Sequence, residues 1–292
     1  MISKSARAHS AVAKVAAKIS GRFWRVLLFA YNFVDRTILI LGFIALCTGI
    51  ITFGRFFCDG LAHWIKGGVF FWLGIFTLGR WAGCFGEIGW AWNLRPKQPN
   101  QKWRPSAEFA ESFLIFFYGA TNIFLEHLGN WGQEWSAQDL EHISITVLFI
   151  GGESYTHSTN PLPALVILLT GLMMSSHTQE SMISSMVHKQ WGNLLTAASF
   201  ARALTYVLLW LRPPTSVLPG RPPTELGAAF GLVSGGVIFM ASSSDTVIGM
   251  IHYQLDAMFV YTVTMGLSAL LMAWVILVVA VKGWAGRREG KG

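Results

Sequence analysis

The sequence predicts an all-α integral membrane protein, a polytopic transmembrane bundle of about eight helices with both termini cytoplasmic. Of its 292 residues, 53% are hydrophobic and only 13% charged, against about 25% charged in ordinary soluble domains. The apolar residues gather in runs of about 20, the length that crosses a bilayer as a helix. Lys and Arg mostly avoid these runs: sixteen of 22 fall in one set of alternating loops and tails and two in the opposite set. The positive-inside rule makes the richer side cytoplasmic. This asymmetry accounts for the net charge of +7, so nucleic acid is not an expected partner.

Residues 1–34 form a basic amphipathic N-terminal arm, with Lys4, Arg7, Lys14, Lys18, Arg22 and Arg25 and no acidic residue. The composition fits a mitochondrial presequence. Because the arm runs directly into a span, an arm lying on anionic lipid is preferred, and an endomembrane or plasma-membrane location over the mitochondrion. A transmembrane helical domain occupies 35–285 and a basic tail 286–292.

The first span covers 37–57 and the second 67–92. In the second, Arg80 and Glu87 are seven residues apart on one helical face, and an ion pair between them with a structural role is expected. A proline-rich basic loop at 93–106 ends on Ser106, a cap for the third span, which ends near Leu128. Glu108, Glu111, Asn122 and Glu126 share a stripe of that span and are expected to turn away from lipid. The fourth span, 139–158, carries Glu141, His142, Glu153 and His157. The fifth runs from Pro163 to His188, and KQWG (189–192) makes a tight turn into a sixth at 193–211. A stiff proline-rich loop follows, then spans at 225–249 and 256–281.

On a continuous fifth helix His177, Glu180, Ser184 and His188 fall within about 80° of one another. Ionisable groups at membrane depth are costly and face a bundle interior or a water-filled cavity. The predicted orientation also puts His63, His127, His142, His177, His188 and His252 in the outer half of the bilayer. A transition-metal site needs neutral imidazoles and carboxylates drawn from several helices. His142, His177, Glu180 and His188, with Glu126 from the third span, are the candidate metal ligands. Met173, Met174, Met182 and Met186 suit copper, yet methionine at this spacing is more often core packing.

A haem held between histidines of neighbouring spans is a second reading of the cluster. An intramembrane hydrolase with a zinc-activated water is a third; neither HExxH nor GxSxG occurs, so no catalytic residue is assigned. A proton or ion path along Glu108, Glu111, Asn122 and Glu126 is a fourth. The competing class is a non-enzymatic scaffold whose histidines cross-link helices by hydrogen bonds. Cys47, Cys58 and Cys84 lack CxxC spacing and imply neither a disulfide framework nor a cysteine metal site.

The segments LAHWIKGGVFFWLGIFTLGR, GEIGWAWNLRP, QDLEHISI, PALVILLTGLMMSSHTQES and DAMFVYTVTMGLSALLMAW resemble the C-terminal domain of the fungal YTP family of membrane proteins, over roughly residues 35–285. More distantly, an acidic span followed by spans with an early histidine and with paired histidines is similar to the transmembrane protein forty-five family. The YTP resemblance implies a polytopic membrane protein and brings no catalytic residues. Family members have been described as similar to electron-transport proteins, which favours the redox reading. The expected partners are the lipid bilayer and either another membrane protein or a second copy of the chain.

Overall fold

The computed structural model describes residues 20–31, 59–96, 105–126, 161–176 and 181–289, with isolated positions elsewhere. The chain divides into two compact units, Met1–Phe57 and Cys58–Gly292. In the first, residues 20–31 are helical with exposed side chains.

The second unit contains helices α1 (Asp59–Ala82), α2 (Ala107–Glu126), α3 (Leu162–Ser176), α4 (Met182–Leu211), α5 (Pro223–Ala241), α6 (Ser244–His252) and α7 (Ala257–Glu289). Among the described residues three helices are long and apolar enough to cross a membrane: α4, α5 and the part of α7 spanning Ala257–Gly286. α5 is the most buried of the three. α7 instead exposes Leu267, Leu270, Trp274 and Leu277, an apolar surface that a bilayer solvates at no cost.

Close backbone approach sets the packing. A Cβ built on Gly67 of α1 would lie 2.5 Å from the Gly236 carbonyl of α5, and one on Gly74 would lie 2.7 Å from the Val233 nitrogen. Low residues of α1 therefore meet high residues of α5, which makes the pair antiparallel. The same reading applies to Gly171 of α3 against Gly192 of α4 and to Gly231 of α5 against Leu194 and Ala198 of α4. Small residues let membrane helices approach this closely. The core between them includes Leu195, Val187, Ile238 and Trp191. Trp191 stacks on Phe239 with ring centres 4.1 Å apart and planes within 7°.

Four spans differ from the sequence expectation: the second, the fifth, the sixth and the seventh, where the helix expected over 225–249 ends at Ala241 and α6 starts anew at Ser244. The second is helical over Asp59–Ala82, earlier than 67–92 at both ends. Gly83 at φ 103° and Phe85 at φ 65° are left-handed and stop the helix. Arg80 and Glu87 consequently do not share a helix, and Glu87 is exposed in a short 3-10 turn, Gly86–Ile88.

The fifth and sixth spans also divide elsewhere. α3 ends at Ser176, Ser181 is extended, and α4 runs from Met182 unbroken through KQWG to Leu211. Ser181, in an extended conformation, accepts the Ser184 amide at 3.0 Å on its Oγ and so caps α4. Gly192, expected at a turn, is instead the position where α4 touches α3. Ser184 and His188 lie on α4, beyond the extended Ser181, while His177 and Glu180 lie outside the described residues. The Ser106 cap is present: the Phe109 amide donates to Ser106 Oγ at 3.0 Å.

Candidate functional site

The antiparallel order brings the ends of α1 and α4 together with the starts of α2, α3 and α5. At this end five ionisable side chains form one buried network. Arg80 donates from Nη1 to Glu111 Oε1 at 2.7 Å, from Nη2 to Glu108 Oε1 at 2.9 Å and from Nε to the Trp90 carbonyl at 2.9 Å. Arg202 donates from Nη1 to Glu111 Oε2 at 3.1 Å and from Nη2 to Thr77 Oγ1 at 3.0 Å. Its Nε lies 2.7 Å from Glu225 Oε1. Neither atom satisfies hydrogen-bond geometry, so the contact is close without being a directed hydrogen bond.

Glu111 is the hub, with one oxygen for each guanidinium. The expected Arg80–Glu87 pair is replaced by ion pairs between helices, because the guanidinium points across α1 toward α2 rather than along its own helix. Indole supports the charges. The Trp92 ring lies 4.3 Å from Arg80 Cζ and 5.6 Å from Arg202 Cζ, both within cation–π range.

The loop that carries Trp92 is positioned by the left-handed residues after Ala82 and by Asn93. The Asn93 amide donates to the carbonyls of Gly86 at 2.9 Å and Val217 at 2.7 Å. It thereby ties this loop to the proline-rich segment after α4. Trp90 Nε1 donates to the Pro105 carbonyl at 3.1 Å, holding the start of α2 as well. A cavity of about 530 Å³ opens here, bordered by Arg80, Trp90, Trp92, Arg95, Glu108 and Trp210.

A histidine pair lies at the opposite end of α1 and α4. The His63 and His188 ring centres are 6.1 Å apart with the planes edge to face, and His63 also meets Phe239 at 5.6 Å. His188 is buried, and its Nδ1 lies 3.0 Å from the Ser184 carbonyl. A carbonyl can only accept, so Nδ1 carries the proton, and a neutral His188 has its lone pair on Nε2.

Of the candidate metal ligands read from the sequence, His188 alone has a described side chain. Glu126 is the last residue of α2, with a side chain outside the description, and His142, His177 and Glu180 lie outside the described residues. Among the described residues no group of three or more His, Cys, Asp or Glu side chains is arranged to hold a metal ion. Sequence reading put His63 in the outer half but not in the ligand set. No spacing in the sequence marks it as a partner of His188; the two rings meet because α1 and α4 both pack on α5. The methionines do not converge: Met174 is in the core, while Met182 is 80% exposed.

A profile of the family described as Protein YTP1-like, C-terminal, matches residues 41–154 and 152–283, together most of the chain. The chain belongs to this family. Among YTP1-like relatives, it is 37% identical over 90% of its length to an uncharacterized membrane protein of Schizosaccharomyces pombe, of which it covers 60%. It is 39% identical over 88% of its length to an uncharacterized membrane protein of Saccharomyces cerevisiae, of which it covers 47%. It is also similar to protein YTP1 of the same yeast, at 28% identity over 49% of this chain. The chain thus spans about half the length of the curated relatives it matches. These comparisons agree with the apolar helices: this YTP1-like chain is an integral membrane protein.

Proposed function

We propose that this membrane protein binds a transition-metal ion through histidines at the end of the bundle where α1 and α4 begin. The observation that carries the reading is the His63–His188 pair. Two imidazoles on one ion have ring centres roughly 5–6.5 Å apart, given metal–nitrogen bonds of about 2.0–2.1 Å, and these rings are 6.1 Å apart. The His188 Nδ1 contact to a backbone carbonyl is the arrangement that orients metal-bound imidazoles elsewhere. His142, His177, Glu180 and Glu126 are the further ligands of this reading. An imidazole and carboxylate set suits zinc or copper(II), in a redox or a transport role. The scaffold reading draws its support from the other end, where the five-residue network is arranged as a cross-link between helices.

Purification in mild detergent without chelator, followed by elemental analysis and an optical spectrum, tests the reading. The expected result is about one equivalent of zinc or copper per chain, lost in H63A and H188A while both variants keep a cooperative thermal transition. A Soret band would replace the metal ion by haem. A folded protein free of metal, with a melting point that added zinc or copper leaves unchanged, would overturn the proposal.

A further inference from the structure

The buried network at the other end has an unequal charge count, which does not depend on the metal reading. Two guanidiniums, Arg80 and Arg202, face three carboxyls, Glu108, Glu111 and Glu225. Among the described residues no further charged side chain pairs with any of the five. Among the described residues, three ionised carboxyls would exceed the two guanidiniums by one negative charge. A carboxyl so placed takes up a proton rather than remain charged.

The three carboxyls differ in how well an anion is supported. Glu111 uses both oxygens, one on each arginine. Glu108 pairs with Arg80, and its side chain is 11% exposed on the wall of the 530 Å³ cavity, where water can solvate it. Glu225 is 0% exposed. Its Oε1 faces Arg202 Nε without a directed hydrogen bond, and its buried Oε2 has no hydrogen-bond partner.

The groups around Glu225 come from every helix of the network. They are Arg80 from α1, with Thr77 reached through Arg202, Glu111 from α2, Thr205 and Tyr206 beside Arg202 on α4, and Thr224 on α5, whose hydroxyl bonds that of Thr205, while Glu108 is linked to the group through Arg80. A cavity of about 20 Å³ borders Glu111 and Arg202, room for one water molecule.

We propose that Glu225 is a proton-binding site, a neutral carboxylic acid held among two guanidiniums and two carboxylates. Binding transfers one proton to Oε2 and leaves each ion pair of Glu108 and Glu111 intact. The chemistry gives α5 an acid within the bundle that can load and release a proton without breaking the hub.

The test is an infrared difference spectrum, wild type minus E225Q, on the protein in mild detergent at neutral pH. Glutamine is neutral and nearly isosteric with the protonated acid. The difference should show one carboxylic-acid C=O band that moves in D2O, and E225Q should melt within about 3 °C of wild type. Absence of the band overturns the proposal, as does an E225Q variant that fails to fold, since that would mean the anion is required. A wild-type melting point that rises with sodium or potassium, but not in E225Q, would also overturn it by making a metal cation the compensating charge.

Discussion

E111A is expected to be the most destabilising single change at the network, by about 3–5 kcal/mol, the range for breaking a buried ion pair by removing one partner. Glu111 holds Arg80 through Oε1 and Arg202 through Oε2, so its truncation leaves two buried guanidiniums short of a counter-charge. Arg80 keeps Glu108 and the Trp90 carbonyl, while Arg202 keeps Thr77 and Glu225. If the surplus proton is released from Glu225, part of the loss is offset, and the measured cost falls at the lower end of the range. The double variant E111L/R202M removes both the hub and one cation and should recover part of the loss, because apolar side chains of similar volume replace buried ion pairs at little cost. Thermal unfolding in mild detergent reads all three proteins. An E111A melting point equal to wild type would mean that the carboxylate is solvated and that the network does not hold the helices together.

G236V is expected to prevent α1 from docking on α5. A Cβ at Gly236 would sit 2.6 Å from the Gly67 carbonyl and the Phe71 amide nitrogen and 3.0 Å from Phe71 Cα. All three are backbone atoms, so no rotamer change relieves the clash and the helices must separate. Overpacking of this kind costs about 1–3 kcal/mol where side chains can adjust and more where they cannot. The separation would also move Arg80 and His63, both on α1, away from their partners. Size-exclusion chromatography should show aggregated G236V and monodisperse G266A, because a Cβ at Gly266 meets nothing within 4 Å. A monodisperse G236V with an unchanged melting point would refute the close α1–α5 contact.

The places where sequence and structure part company have a common cause. Spacing along one helix is visible in sequence, and it led from Arg80 to Glu87. The actual partners, Glu108 and Glu111, are 28 and 31 residues away on another helix, a separation that no spacing along one helix can reveal. Likewise the apolar pattern continues from Pro163 past Met174, so a single fifth helix was the natural reading. The break depends on the Ser181 cap, one of many serines in MMSSHTQESMISS and distinguishable from the rest only once the backbone turns there. Gly192 is ambiguous in the same way, since glycine serves tight turns and close helix contacts equally.

An all-α membrane protein, a capped start for α2 at Ser106 and the burial of Glu108 and Glu111 are legible without the fold, because hydropathy, capping chemistry and the cost of charge in lipid are properties of short segments. The meeting of Arg80 and Arg202 on Glu111, the approach of Glu225 to Arg202 and the contact of His63 with His188 exist only in the folded bundle. Those depend on which glycines let which backbones touch, and that choice is made between helices far apart in the chain.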